Sequence, residues 1–350
     1  MLVCDTHADT LYALSAPDRP AGGPLDVTAE LLTAGGGVRV QCLALFVCTN
    51  GMRMSPTIVE RELQAFEGLK QRGFCQITEL SQAREGVANA MLTIEGGEAF
   101  GGDAAQVDRF ADLGVRMAAL VWNNENGVAH PALSGSGEGL TPLGRDIVSR
   151  MRSRHMAVDV SHLNERGFYD LLDGKAPPLA SHSCARALCD HPRNLSDHQL
   201  RCLFEAGGYV GVNFYPLFLS DDSRADLDRV VDHIAHMCDL GGEAHVGLGS
   251  DFDGIETHPE GLRNAGDLPA LLERMRRRGF GEPLVEAVAG LNFKRYLESI
   301  GQAGGGRRTK PAAASRFFVC LNRCSCPPRP CRGRCRARAW RSSSRARRNG

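Results

Sequence analysis

His7 and Asp9 stand two apart in "CDTHADT", directly after the apolar run Met1–Cys4. On a strand, residues i and i+2 point to the same side. The pair can therefore aim an imidazole and a carboxylate at one point, as two ligands of a metal ion would. A polar turn closing a strand would read the same way, so the decision rests on partners elsewhere. Those partners exist: Glu95 in "LTIEGGEAF", His162 in "VDVSH", His182 in "LASHS", and Asp251 with Asp253 in "GLGSDFDG". Trp122 and Asn123 in "ALVWNNEN", Arg193 in "DHPRNLSD", and Asn213 and Tyr215 in "VNFY" join them.

Imidazole and carboxylate donors suit first-row dications, with Zn2+ the default and Co2+, Mn2+ or Fe2+ admitted. His7, Asp9, Glu95, His162 and His182 exceed what one catalytic zinc takes while keeping a position open. Two metals sharing Glu95 fit better. Such a pair lowers the pKa of a bridging water, giving hydroxide at neutral pH, and polarises a carbonyl. A departing amine then needs a proton, for which Asp251 is the candidate. Arg193 can clamp a substrate carboxylate through two parallel hydrogen bonds.

The elements that must position these groups are short β-branched runs separated by amphipathic stretches. The runs are Leu2–Cys4, Val40–Val47, Met91–Ile94, Arg116–Val121, Ala157–Val160, Pro178–Ala180, Tyr209–Val212 and His245–Leu248. Helices are expected at Ile58–Gln71, Gly144–Arg154, Asn194–Glu205, Arg224–Cys238, Leu268–Arg277 and Pro283–Ser299. Eight strands alternating with helices predict an α/β fold, a (β/α)8 TIM-like barrel, with the metal site at the C-terminal ends of the strands. A doubly wound open sheet is the alternative, but no G-x-G-x-x-G follows the first run. The polar residues follow the runs one after another, where a barrel gathers strand ends around one mouth.

The formal net charge of zero conceals an asymmetry. Residues 301–350 hold 14 of the chain's 41 Lys and Arg and no Asp or Glu, so residues 1–300 carry 27 basic against 41 acidic side chains. An acidic body argues against nucleic-acid binding by residues 1–300, which are expected to form the hydrolase domain. The segment 301–350 is a basic Arg/Cys-rich tail with three readings: a disordered arm for nucleic acid or acidic surfaces, a metal knuckle built on Cys320, Cys324, Cys326, Cys331 and Cys335, or an out-of-frame gene end. The abrupt change of composition favours the last. Cysteines scattered through the body read as free thiols. The N-terminus lacks the basic flank and apolar core of an export signal, and no run approaches the ~20 apolar residues of a membrane helix. The expectation is a cytoplasmic protein without membrane contact, and a homodimer is compatible with it.

The ordered set H-x-D, E-G-G, D-V-S-H, S-H-S, R-N and D-F-D-G resembles the membrane (renal) dipeptidase family of metallopeptidases, within the amidohydrolase-like barrels. The likeness runs from Asp5 to about Ser299. It implies that His7, Asp9 and Glu95 hold one zinc and that Glu95, His162 and His182 hold the other. It also implies that Arg193 binds the carboxylate of a dipeptide and that Asp251 assists proton transfer. The substrates implied are dipeptides, often with a D-residue tolerated at the C-terminal position. Lacking the export and anchor signals of the eukaryotic members, the chain resembles the soluble bacterial branch. Better-known members place a histidine after the fourth strand, holding substrate or the developing oxyanion. Trp122 or Asn123 stands there instead, and with Tyr215 they are the candidate substrate contacts. That change keeps open hydrolysis of lactams or N-acyl amino acids, and a metal-binding barrel without catalysis. Asp253 is expected to shape a turn with Gly254, and Cys184 to be a buried thiol.

Overall fold

The structure is a computed structural model that describes residues 1–16, 24–49 and 56–301. The expectations for the basic tail lie outside the described residues, Gly301 excepted. Nine strands occur among the described residues: β1 (Leu2–Asp5), β2 (Val38–Phe46), β3 (Phe74–Gln76), β4 (Ala88–Glu95), β5 (Met117–Ala119), β6 (Ala157–Asp159), β7 (Leu179–Ala180), β8 (Tyr209–Val212) and β9 (Val246–Leu248). Every pairing is parallel, in the order β2-β1-β9-β8-β7-β6-β5-β4, and β4 pairs back onto β2 to close an eight-stranded barrel. Helices connect the strands, as parallel neighbours require. The expected (β/α)8 fold is the observed one.

The ninth strand, β3, is the departure from eight. β4 is eight residues long and its neighbour β5 only three. β5 pairs with Thr93–Glu95, which leaves the start of that edge open, and β3 covers it by pairing Phe74–Gln76 with Ala88–Ala90. Strands as short as β5, β6, β7 and β9 fall in expected runs, so β3 departs not by its length but by depending on the edge that β4 leaves open.

Caps shift the helix starts. Thr141 accepts a hydrogen bond from the Gly144 amide and Pro142 opens the helix, so it spans Pro142–Ser153. Ser196 and Gln199 form a capping box, which begins the helix Asp197–Glu205 at Asp197 rather than Asn194. Asp226 caps Leu227–Met237 by accepting from the Arg229 amide. The expected single helix Pro283–Ser299 is interrupted: Glu282–Glu286 and Asn292–Gly301 flank a wide π turn at Ala287–Leu291. There Gly290 passes so close to β1 that a Cβ would meet the Leu2 carbonyl oxygen at 2.9 Å.

This last segment closes the end of the barrel opposite the C-terminal ends of the strands. Phe293, Tyr296 and Ile300 pack onto Cys4, Val40, Cys42, Met91, Met117, Ala157, Leu179 and Tyr209. Burying Phe293 and Ile300 contributes about 1.5–3 kcal/mol each. Asn292 anchors the segment by donating to the carbonyls of Glu243 (2.9 Å) and Val246 (2.7 Å). The larger apolar cluster lies between strands and helices and includes Leu43, Leu45, Phe66, Leu92, Val210 and Leu248. Among the described residues, no helix is long and apolar enough to cross a membrane.

Candidate active site

Glu95 ends β4, and Gly96 follows it at φ 106°, where a Cβ would collide with the Val47 carbonyl oxygen at 2.1 Å. Glycine is therefore what lets the chain turn sharply past the carboxylate. His7 and Asp9 follow β1, His162 follows β6, His182 follows β7, and Asp251 follows β9. His162 (φ 69°), Asp251 (φ 66°) and Asp253 (φ 64°) hold left-handed backbone, three of the five non-glycine residues that do so among the described residues. Such conformations cost about 1–2 kcal/mol each and persist where the surroundings enforce them.

Glu95 stands between two groups of donors. Its Oε1 lies 2.8 Å from His162 Nε2 and 3.4 Å from His182 Nε2, while its Oε2 lies 3.7 Å from His7 Nε2. His7 Nε2 is 3.7 Å from Asp9 Oδ2 and 3.8 Å from Asp251 Oδ1. The two histidine Nε2 atoms of His162 and His182 are 3.0 Å apart. Three sets have ligand atoms within 4.8 Å of one another: His7, Asp9 and Glu95; Glu95, His162 and His182; His7, His182 and Asp251. All five expected ligands are buried.

The donor set fits dications. Nε2 of His7, Oδ1 of Asp9 and Oε2 of Glu95 are buried without any hydrogen-bond partner. Three unsatisfied polar atoms on neighbouring buried residues are costly unless something absent from the polypeptide completes them. His162 donates Nδ1–H to Asn123 Oδ1 at 2.8 Å, which leaves its Nε2 lone pair facing Glu95. Asn123 thus spends its carbonyl oxygen on orienting a histidine.

Electrostatics agree with ligation. Burial, with a contribution from Arg193, pushes His162 down to about 4, and burial with His7 nearby holds His182 well below the ordinary histidine value. Both are therefore neutral, as metal binding requires. Burial opposes a charge on His7, but Glu95 and Asp9 outweigh it and raise its pKa well above the usual range. Burial favours a protonated Glu95, yet His7 and His162 outweigh it and hold the carboxyl well below its ordinary value. Burial and the Glu95 charge push Asp9 up to about 7. A dication among these groups would take the place of the His7 proton, so binding releases protons.

The remaining expected residues surround this centre. Asp251 accepts from Asn213 Nδ2 at 2.9 Å, and burial raises its pKa. Gly254 is packed so tightly there that a Cβ would meet Asp9 Oδ2 at 2.1 Å and Asp251 Oδ1 at 2.9 Å. Arg193 is 3% exposed, stacks over Phe218 at 5.4 Å, donates to the His182 carbonyl at 3.5 Å, and leaves Nε without a partner. Trp122 meets Phe46 edge-on at 5.2 Å and lies 6.2 Å from the His162 ring. Tyr215 packs edge-on against Phe218 at 5.1 Å and donates its hydroxyl to Glu256 at 2.8 Å. Asp253 joins the turn, accepting from Thr10 Oγ1 (2.6 Å) and the Asp26 amide (2.8 Å). Cys184 is buried and donates to the Asn213 carbonyl at 3.2 Å.

Sequence reasoning missed Asp5, Asp159, Ser161, Ser181 and Ser250, which lie beneath the ligands and bond to their backbone and side chains. The signal was present, because Asp5 directly follows the apolar run Leu2–Cys4 and Asp159 interrupts the otherwise apolar Ala157–Val160.

The profile of the membrane dipeptidase family, peptidase family M19, matches residues 1–310. An uncharacterized dipeptidase of Schizosaccharomyces pombe is 39% identical over 221 residues, 62% of this chain and 54% of that protein, so the chain spans about half its length. A metallopeptidase from Rhodobacter sphaeroides, solved with a phosphinate mimic of the dipeptide L-Ala-D-Ala, is similar with TM-score 0.75 and 29% identity over 85% of this chain and 99% of that one. A dipeptidase AC of family M19 is similar with TM-score 0.76 and 31% identity over 85% of this chain and 98% of that one. With the barrel and the histidine–carboxylate centre in place, this chain belongs to the membrane dipeptidase family, peptidase family M19, of metal-dependent dipeptidase hydrolases.

Proposed function

We propose that this chain hydrolyses dipeptides, including those with a D-residue at the C-terminal position, with two zinc ions held by His7, Asp9 and Glu95 and by Glu95, His162 and His182. The observation that carries this reading is that His7, Asp9 and Glu95, whose ligand atoms lie within 4.8 Å of one another, each bury an atom without a partner, Nε2, Oδ1 and Oε2, and that Arg193, bonded to the His182 carbonyl, does the same with Nε. Unpaired burial costs about 1–3 kcal/mol per group, more for charged ones. Cations and an anionic substrate would satisfy all four. The L-Ala-D-Ala mimic carried by the Rhodobacter sphaeroides relative supports the substrate class.

When bound, a pair of dications lowers the pKa of water towards neutrality and polarises the scissile carbonyl. The chain's own residues supply the rest. Arg193, desolvated and stacked on Phe218, receives the substrate carboxylate through charge-assisted hydrogen bonds. Asp251 is held through Oδ2 by Asn213, which leaves Oδ1 to take a proton from the attacking water and return it to the departing amine. Trp122, braced by Phe46, forms a wall of the site, and Tyr215 contributes a second contact at the mouth.

The test uses the full chain, stripped with a chelator and assayed with and without two equivalents of zinc. Amine release is followed from L-Ala-D-Ala, L-Ala-L-Ala and N-acetyl-L-Ala-D-Ala. Zinc-dependent cleavage of the two free dipeptides alone is expected. Silence on both, with two metals bound, would overturn the dipeptide assignment, and cleavage of the acetylated compound alone would replace it with N-acyl amino acid hydrolysis.

A further inference from the structure

Two buried carboxylates that belong to none of the ligand sets lie directly beneath the centre, and each is bonded to one half of it. Asp159 Oδ1 accepts from the amides of Ser161 (2.9 Å) and Ser181 (3.0 Å), the residues immediately before His162 and His182. Its Oδ2 accepts from the Ser181 hydroxyl. Ser181 Oγ lies 2.7 Å from His182 Nδ1. The single hydroxyl proton goes to the carboxylate, so Oγ must accept Nδ1–H from the imidazole. Ser161 Oγ in turn accepts from the His182 amide at 3.1 Å.

Asp5 repeats the pattern on the other side. Its Oδ1 accepts from the amides of Ser250 (2.8 Å) and His7 (3.4 Å), and its Oδ2 accepts from the Ser250 hydroxyl. Ser250 immediately precedes Asp251, and its hydroxyl also lies 3.2 Å from the His7 carbonyl. Asp5 and Asp159 are 1% and 3% exposed, so neither contacts bulk water appreciably.

We propose that Asp159 and Asp5 are positioning residues that each preset one half of the two-metal centre, Asp159 the His162 and His182 half and Asp5 the His7 half. The proposal rests on the two-metal reading above. Asp159 fixes the backbone before both histidines and, through Ser181, holds His182 with its proton on Nδ1 and its lone pair on Nε2. A histidine whose far nitrogen is tied to a carboxylate is a better oriented and more basic ligand. His162 obtains the same tautomer from the neutral Asn123 amide, so the two histidines differ in donor strength although they face one Glu95 oxygen.

The experiment titrates Zn2+ into chelator-stripped full chain, in competition with a chromophoric chelator, and resolves the two equivalents. Parallel Co2+ loading reads the ligand field of each ion in the visible spectrum. Asp159→Asn is expected to weaken one equivalent roughly 10–100-fold and shift the Co2+ bands of that ion. Asp5→Asn is expected to weaken the other equivalent. Ser181→Ala keeps Asp159 and its two amide bonds, and is expected to weaken the same equivalent as Asp159→Asn by a smaller factor. It decides the case if Asp159→Asn does not fold. Both equivalents weakened alike by each variant, or folded variants with both constants and Co2+ spectra unchanged, would overturn the proposal. Wild-type protein that binds fewer than two ions would instead overturn the two-metal reading on which it stands.

Discussion

The two ends of the barrel interior are built from the same strands and are chemically opposite. At the closed end, Met91, Ala157, Leu179 and Tyr209 meet Phe293, Tyr296 and Ile300 in an apolar floor. Two residues further along the chain stand Thr93, Asp159, Ser181 and Gly211, and two beyond that come Glu95, Ser161, Ser183 and Asn213. Alternation with period two keeps all of these positions on the inward side, so the interior is layered. An apolar floor underlies a mostly polar layer, and that layer lies beneath the candidate ligand Glu95. The apolar end serves stability, and on the reading proposed above the polar end serves chemistry, with Asp5 and Asp159 as the proposed link between them.

The largest expected effect comes from removing the one residue shared by both halves of the mouth. Glu95→Gln should lose both metal ions and reduce activity by more than the roughly 100-fold expected of an outer partner, read by metal content and dipeptide assay. Retention of both ions would show that the halves do not share Glu95. Phe293→Ala cuts the floor and should cost about 3–5 kcal/mol in urea unfolding. Metal affinity of the folded protein should stay unchanged, and weakened metal binding would break the division between the ends.

A pH effect separates the mouth's scaffold from its ligands. His233 Nδ1 accepts from the Ala185 amide at 3.1 Å and its Nε2–H donates to the Leu219 carbonyl at 3.0 Å, so the ring must be neutral. Burial pushes its pKa down to about 4 from the ordinary 6.5. The unfolded chain therefore takes up this proton first as pH falls. The stabilisation is present above pH 6.5 and is lost as pH drops towards 4, by about 3 kcal/mol. Urea titrations at pH 7 and 4.5 should show a smaller loss in His233→Gln than in the wild type, and equal losses would sink this assignment. The smallest effect belongs to Arg193→Met, which should cost about 2 kcal/mol of substrate binding, roughly 30-fold in KM with kcat less affected. An unchanged KM would remove Arg193 from substrate recognition.

Much of this was legible before folding. His7, Asp9, Glu95, His162 and His182 each follow an apolar run, and a parallel barrel leaves no other place for such residues than its mouth. The floor was partly legible, since Phe293 and Tyr296 lie in an expected helix, but nothing local says that the helix lies across the barrel. β3 was invisible because its three residues owe their strand conformation to an open edge on β4 rather than to their own propensity.

The amino-acid sequence by itself determined the kind of donors, their order and their spacing from strand ends, because residue type and period are local properties. Tertiary structure alone decided which donors share a point. It set the two Glu95 oxygens towards different partners and turned Asn123 onto His162. It also put Asp159 beneath two histidines, one three and one 23 residues further along the chain. A buried carboxylate reads the same in sequence whether it ligates, orients or pairs. Only the distances between strand ends, which barrel closure fixes, assign it one of these roles.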